Sequence, residues 1–131
     1  MHETGLTCFF GPLEAKVMDV LWNREAYLTI KEVQQVLQKE KAIKFNTVMT
    51  VMNRLVDKGI LEKRMEGRSS LFKPVQTRNE FLATQSKEMA YILTKQFGKT
   101  IVSHMLEELH EADESLIKQM EQKINEWRKT K

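Results

Sequence analysis

Asn46, Thr47, Thr50, Asn53 and Arg54 lie close together in the stretch Asn46-Thr-Val-Met-Thr-Val-Met-Asn-Arg54, with Lys39, Lys41 and Lys44 just ahead of them. These side chains suit the edges of nucleic-acid bases. A Thr methyl can meet the C5-methyl of thymine, a Thr hydroxyl can reach a base edge or a phosphate, Asn pairs with adenine, and Arg pairs with guanine or grips phosphate. Further along, Lys63, Arg64, Arg68 and Lys73 form a second basic group suited to phosphate or minor-groove contact, which adds affinity and salt dependence more than sequence choice. A solvated polar helix face would carry the same residue types, so the reading depends on the elements that hold them.

The charge distribution points the same way. The 131 residues carry 21 Lys plus Arg against 18 Asp plus Glu, a net +3. Residues 1–75 hold 12 basic and 9 acidic side chains, whereas residues 76–131 hold 9 of each. Residues 39–73 hold 9 basic and 4 acidic, so the local excess is +5. A basic module facing a polyanion, joined to a neutral module with another task, fits this asymmetry.

With five Gly and two Pro, breakers are scarce and a mostly helical chain is expected. Pro12 suits the first turn of a helix over 12–23, whose Leu13, Val17, Val20 and Leu21 make a core-facing stripe with Met18 and Trp22 beside it. Thr29-Ile-Lys-Glu32 is a capping box for a second helix with Val33, Val36 and Leu37 on its buried side. Tyr27-Leu28 before it suits a brief β bridge. Asn46 and Thr47 are expected to cap a third helix, with Val48, Val51, Met52 and Leu55 inward and the polar set outward. Gly59 ends that helix, and two short β-capable runs around Glu66-Gly67-Arg68 predict a hairpin. Three helices followed by a hairpin describe a winged helix-turn-helix, a known groove-reading geometry in which Thr29 both caps its helix and places that helix N-terminus near a phosphate.

Beyond residue 75 the pattern is helical throughout, with helices expected over 79–97, 100–110 and 113–129 and a break at Gly98. Leu93, Phe97, Ile101, Met105, Leu109, Leu116, Met120, Ile124 and Trp127 are the apolar positions expected to carry dimerisation, since three such helices are too few to close a good core alone. The expected fold class is therefore mostly α with a small β-hairpin wing: a winged helix-turn-helix domain over 1–75 and a three-helix dimerisation domain over 76–131.

Other chemistries find little support. Cys8 is the single cysteine and is expected to pack as a small hydrophobe near Phe9 and Phe10. His104 and Glu108 share a helical face, but His110 points elsewhere and no cysteine joins them, so no metal site or cofactor is expected. His2 reads as part of an unstructured terminus. No nucleophile–base pair or phosphate loop stands out, so an enzyme is not expected. No apolar run approaches the roughly 18 residues of a membrane helix. The opening MHETGLTCFFG lacks the basic and apolar regions of a secretory signal, which makes the cytoplasm the expected compartment.

Leu13-Glu-Ala-Lys-Val-Met-Asp-Val-Leu-Trp22, Asn46-Thr-Val-Met-Thr-Val-Met-Asn-Arg-Leu-Val-Asp-Lys-Gly59 and the Gly67-Arg68 wing together resemble the penicillinase and methicillin-resistance repressors of the BlaI/MecI type. The resemblance implies a homodimeric repressor on double-stranded operator DNA, each winged helix taking half of a palindrome of TACA/TGTA character, with a β-lactamase-type or related stress-response gene as target. It implies recognition-helix contacts from Thr47, Thr50 and Arg54 and a wing contact from Arg68. Antibiotic-responsive members are cut at an Asn-Phe bond by a membrane sensor metalloprotease, and the matching stretch here offers His104-Met105 instead. Copper-responsive members end in a cysteine motif, which no residue after Cys8 supplies. Two alternatives stay open from the residues alone: a metal- or ligand-responsive repressor, and a winged helix that binds proteins.

Overall fold

Gly11 holds an extended conformation ahead of α1 (Pro12–Arg24), and its N–H donates to Glu14 Oε1 at 3.2 Å, so a carboxylate serves the helix N-terminus where proline cannot. The structure is a computed structural model and describes residues 6–111 and 113–130. Ala15, Val17, Met18, Val20 and Leu21 are the buried face of α1. At the start of α2 (Ile30–Leu37) the expected capping box forms in full: Glu32 N–H donates to Thr29 Oγ1 at 3.1 Å, and Thr29 N–H donates to Glu32 Oε1 at 3.0 Å.

The third helix, α3 (Phe45–Asp57), buries Val48, Val51, Met52 and Leu55, the four positions its periodicity assigns to the core. Its start corrects the expected cap. Lys44, not Asn46 or Thr47, is the N-cap, and it makes no side-chain capping bond. The reason is local: the Lys44 carbonyl already accepts from Thr47 N at 3.1 Å and Val48 N at 3.2 Å, so the first turn closes ahead of Asn46. At the other end, Ile60 N donates to the Leu55 carbonyl and Gly59 N to that of Val56, both at 2.9 Å. This is a Schellman motif, and it needs the left-handed φ of 79° that Gly59 adopts.

Two antiparallel strands follow, β1 (Leu61–Glu66) and β2 (Ser69–Pro74), paired from Leu61 with Pro74 to Glu66 with Ser69. Gly67 takes a φ of 62° at the first position of the two-residue connection, as a tight hairpin turn of this hand requires. The expected bridge before α2 is present, Leu28 pairing with Phe72 as a one-residue third strand. Leu6, Phe10, Leu28, Val33, Leu61, Phe72 and Phe81 join the inward faces of α1 and α3 in one core.

The remaining chain forms α4 (Arg78–His110) and α5 (Glu114–Thr130). Thr77 caps α4 through a second capping box, accepting from Glu80 N at 3.1 Å while its own N–H donates to Glu80 Oε1 at 2.9 Å. The break expected at Gly98 is a kink within α4, at Phe97 (φ −131°, ψ 27°). The chain divides into two compact units, Met1–Gln85 and Ser86–Lys131. The division falls beyond residue 75 because the first turns of α4 belong to the first unit: Phe81 stacks on Phe10 at 5.0 Å and meets Trp22 at 5.5 Å and Phe9 at 6.0 Å. Cys8 is exposed, contrary to expectation, since the 3-10 turn Leu6–Cys8 turns Leu6 inward and leaves Cys8 outward. His2 lies outside the described residues. Among the described residues no helix is long and apolar enough to cross a membrane.

Phe81 is only 4% exposed, so Phe81→Ala is expected to destabilise the first unit by about 3–5 kcal/mol. Denaturant unfolding followed by tryptophan fluorescence checks this through Trp22.

Candidate nucleic-acid interface

Four of the five polar residues singled out on α3 come together. Asn46, Thr47, Thr50 and Arg54 line one open groove of about 580 Å³, whose opposite wall is the start of α1, Gly11 to Glu14. Asn46 and Thr47 are exposed, and among the described residues their side chains make no hydrogen bond, because the helix does not use them as caps. Thr50 is different. Its Oγ1 donates to the Asn46 carbonyl at 2.9 Å, which uses the hydroxyl hydrogen on the helix backbone of this exposed residue and leaves its oxygen able to accept.

Asn53 stands apart from that groove. Its Oδ1 accepts from Lys63 Nζ at 3.3 Å, tying α3 to the wing. Lys63 pairs across the hairpin with Phe72, and its ammonium lies 5.6 Å from the Phe72 ring. Arg64, the next residue, therefore points to the opposite face. There its guanidinium sits 4.2 Å from the Tyr27 ring, Lys73 approaches the same ring at 5.5 Å, and Arg64 pairs with Glu66 at 3.6 Å. The Tyr27 hydroxyl donates to Glu62 Oε1 at 2.9 Å, and this bond raises the phenol above its ordinary value of 10. Arg68 occupies the hairpin tip and Lys44 the residue before α3, both exposed and, among the described residues, without a charge partner. Thr29 stays at its cap on α2, away from the groove.

The acidic residue on the α1 wall of the groove is neutralised. Glu14 Oε2 accepts from Lys58 Nζ at 3.0 Å, and Lys58, the Gly11 N–H and Arg54 together hold its carboxyl below the ordinary 4.5. Lys58 is thereby drawn off the cationic set. Among the described residues no group of three or more His, Cys, Asp or Glu side chains is placed to hold a metal.

The profile of the penicillinase repressor family matches residues 10–126, which takes in both the winged helix and most of the C-terminal helices. The chain belongs to the penicillinase repressor family. It is 36% identical over 73 residues to the transcriptional regulator BlaI of Mycobacterium tuberculosis, in each of two strains, over 56% of this chain and 53% of the relative. The chain thus spans about half the length of the curated relatives it matches, and those relatives are transcriptional regulators, not enzymes. The solution structure of the DNA-binding domain of the repressor BlaI is also similar, with 28% identity and a TM-score of 0.49 over 55% of this chain and 87% of that one.

Two residues on these elements were not singled out from the sequence. Phe45 and Met65 are 43% and 59% exposed, the first opening α3 and the second on β1 near the wing tip. For Phe45 helical spacing gave no signal, since it lies three and seven residues before Val48 and Met52 and reads as a continuation of the buried stripe. Tyr27 was read only as part of a bridge, and its role as a platform for Arg64 depends on the hairpin register.

The Glu14–Lys58 pair gives this penicillinase repressor family member a defined acid response. A carboxyl whose folded value is lowered contributes stability that is present above 4.5 and is lost as pH falls through the folded value. Lys58 is half exposed to water, so Glu14→Gln is expected to cost roughly 0.5–1 kcal/mol near neutral pH. The difference from the native chain should shrink as pH drops below 4.5, which paired denaturation curves across that range measure.

Proposed function

We propose that this chain is a sequence-specific transcriptional repressor that acts as a homodimer, each copy laying α3 in the major groove of one half of a palindromic operator. The observation that carries the reading is the gathering of Asn46, Thr47, Thr50 and Arg54 on one open face of a helix whose other face is fully engaged in the core. In this arrangement Asn46, Thr47 and Thr50 reach base edges, and Arg54 takes a guanine or a phosphate. Lys44 and the helix start meet phosphate, as does the N-terminus of α2 at Thr29. Asn53 holds Lys63 in place, and Lys63, Arg64 and Arg68 set the wing against the backbone or the minor groove.

The second unit supplies the pairing. No residue of α5 is buried, and Phe97, Met105, Leu116, Ile124 and Trp127 are 52%, 54%, 45%, 39% and 60% exposed. Apolar surface of this extent favours burial against a second copy, with Leu93, Ile101, Leu109 and Met120 at the half-buried edge of the same surface. Joining two half-site binders makes the second contact effectively intramolecular, which raises affinity by about 10² to 10⁴. Whatever separates the paired helices therefore releases the DNA. Cleavage at His104–Met105 by a membrane sensor metalloprotease would do so, and both side chains are exposed on α4. Repression of a β-lactamase-type or related stress-response gene in the cytoplasm completes the reading.

Titration of a TACA/TGTA inverted-repeat duplex and a random duplex at several salt concentrations tests it. A steep salt dependence and a preference of about 10³-fold or more for the operator are expected. Thr50→Ala should narrow that ratio, and Arg68→Ala should weaken both duplexes alike and lower the salt slope by about 1. Equal affinity for the two duplexes overturns the proposal. For the pairing, sedimentation should give two copies for the native chain and one for a Phe97→Glu, Trp127→Glu double variant, with operator affinity falling about 10² to 10⁴-fold. A double variant that still sediments as a dimer removes α4 and α5 from the interface.

A further inference from the structure

We propose that Phe45 is a specificity-determining residue that reads a thymine of the operator half-site through its C5-methyl group. The inference deepens the repressor reading and rests on it. Among the described residues of the first unit, the large apolar side chains left in water are Phe45, Met65 and Val75. Phe45 is the one on α3, and it is the first residue of that helix, between Lys44 and Asn46. The N-terminal turn of a recognition helix is the part that approaches base edges.

The fold itself gives Phe45 no occupation. Ile43, Met49 and Val56 pack against the core as partly buried neighbours, whereas Phe45 is in neither the core nor that layer. The other phenylalanine and tryptophan rings of the first unit cluster around Phe81 or bury at Phe72, and among the described residues no ring or cation pairs with Phe45. Helical spacing puts Phe45, Met49 and Asn53 along one side of α3. Met49 is half-buried and Asn53 is bonded to Lys63 of the wing, so this side has its open end at Phe45. Phe45 does not line the groove itself, and Asn46, the next residue in the chain, opens the outward face beside it.

The chemistry of the ring then selects the partner. A benzyl group has no donor or acceptor, so it cannot distinguish bases by their hydrogen-bonding pattern. The major groove presents one apolar substituent, the thymine C5-methyl, and an aliphatic or aromatic side chain is its natural contact. A phosphate would gain nothing from this ring. Burying one methyl is worth about a fourfold change in affinity per half-site, and both halves of a palindrome should show it.

Thymine-to-uracil replacement tests the idea, since it removes the methyl and leaves every hydrogen-bonding edge unchanged. Each thymine of the half-site is replaced in turn, symmetrically, and the duplexes are titrated with the full chain. The native protein is expected to lose about 10- to 20-fold at one position when both half-sites are changed. Phe45→Ala should bind the thymine operator more weakly and lose its thymine preference at that position, while keeping its response at positions read by Thr47 or Thr50. Phe45→Leu should keep part of the preference. Unchanged thymine-to-uracil ratios at all positions in both variants, or a native protein indifferent to every replacement, overturn the inference while an intact operator-over-random preference leaves the repressor reading standing. A native protein without that preference overturns both.

Discussion

The pairing of Leu28 with Phe72 is the constraint on which the basic surface of α3 and the wing depends. The two residues exchange backbone hydrogen bonds of 2.8 and 2.9 Å, and the Phe72 side chain is fully buried among the helices. A two-stranded hairpin has little stability of its own in water. Here the Leu28 bridge and the buried Phe72 ring, with Leu61 of β1 also in the core, anchor it to the rest of the unit. Because side chains alternate along a strand, this anchoring decides where the wing residues point: Lys63, opposite Phe72, turns towards Asn53, and Arg64 turns towards Tyr27. A slip of one residue would exchange those two cations and put Phe72 into water.

The same unit sorts its positive charges by what holds them. Lys58 neutralises Glu14, Lys16 pairs with Glu40, and Arg78 is bound to Asp19, so these charges serve the scaffold. Arg64 lies over an aromatic ring with Glu66 beside it and Lys63 is fixed by Asn53, which restrict their rotamers before any ligand arrives. Lys44 and Arg68 carry no such partner among the described residues and stay exposed as long side-chain donors. A surface built from restrained and unrestrained cations can position a polyanion first and adjust to it afterwards. In the proposed repressor reading, sequence choice would belong to α3 and general affinity to the wing.

The two units solve the burial problem differently. Met1–Gln85 closes its own core with aromatic residues from its N-terminal segment, α1 and the start of α4 meeting at Phe81. Ser86–Lys131 does not, and its apolar residues stay exposed along α4 and α5. The kink at Phe97 places one of the largest of them at a bend in α4. The first unit therefore holds its surface residues on a closed core, while the second leaves apolar surface open to water.

Much of this architecture was legible in the residues themselves because it is local. The Thr29–Glu32 capping box, the Gly59 stop, the Gly67 turn and the Val48, Val51, Met52 and Leu55 stripe each follow from spacings within one or two turns, where side-chain chemistry and backbone geometry are directly coupled. The family is suggested by the resemblance of the Leu13–Trp22, Asn46–Gly59 and Gly67-Arg68 segments to known members, and the family profile over residues 10–126 bears it out. Tertiary structure decided what depends on distant partners: that Asn53 holds Lys63, that Tyr27 supports Arg64, that Phe81 belongs with Phe10 and Trp22, and that Phe45 is left in water. Those outcomes arise from strand register and the competition for core space, which bring together residues tens of positions apart, and no periodicity within a single element encodes them.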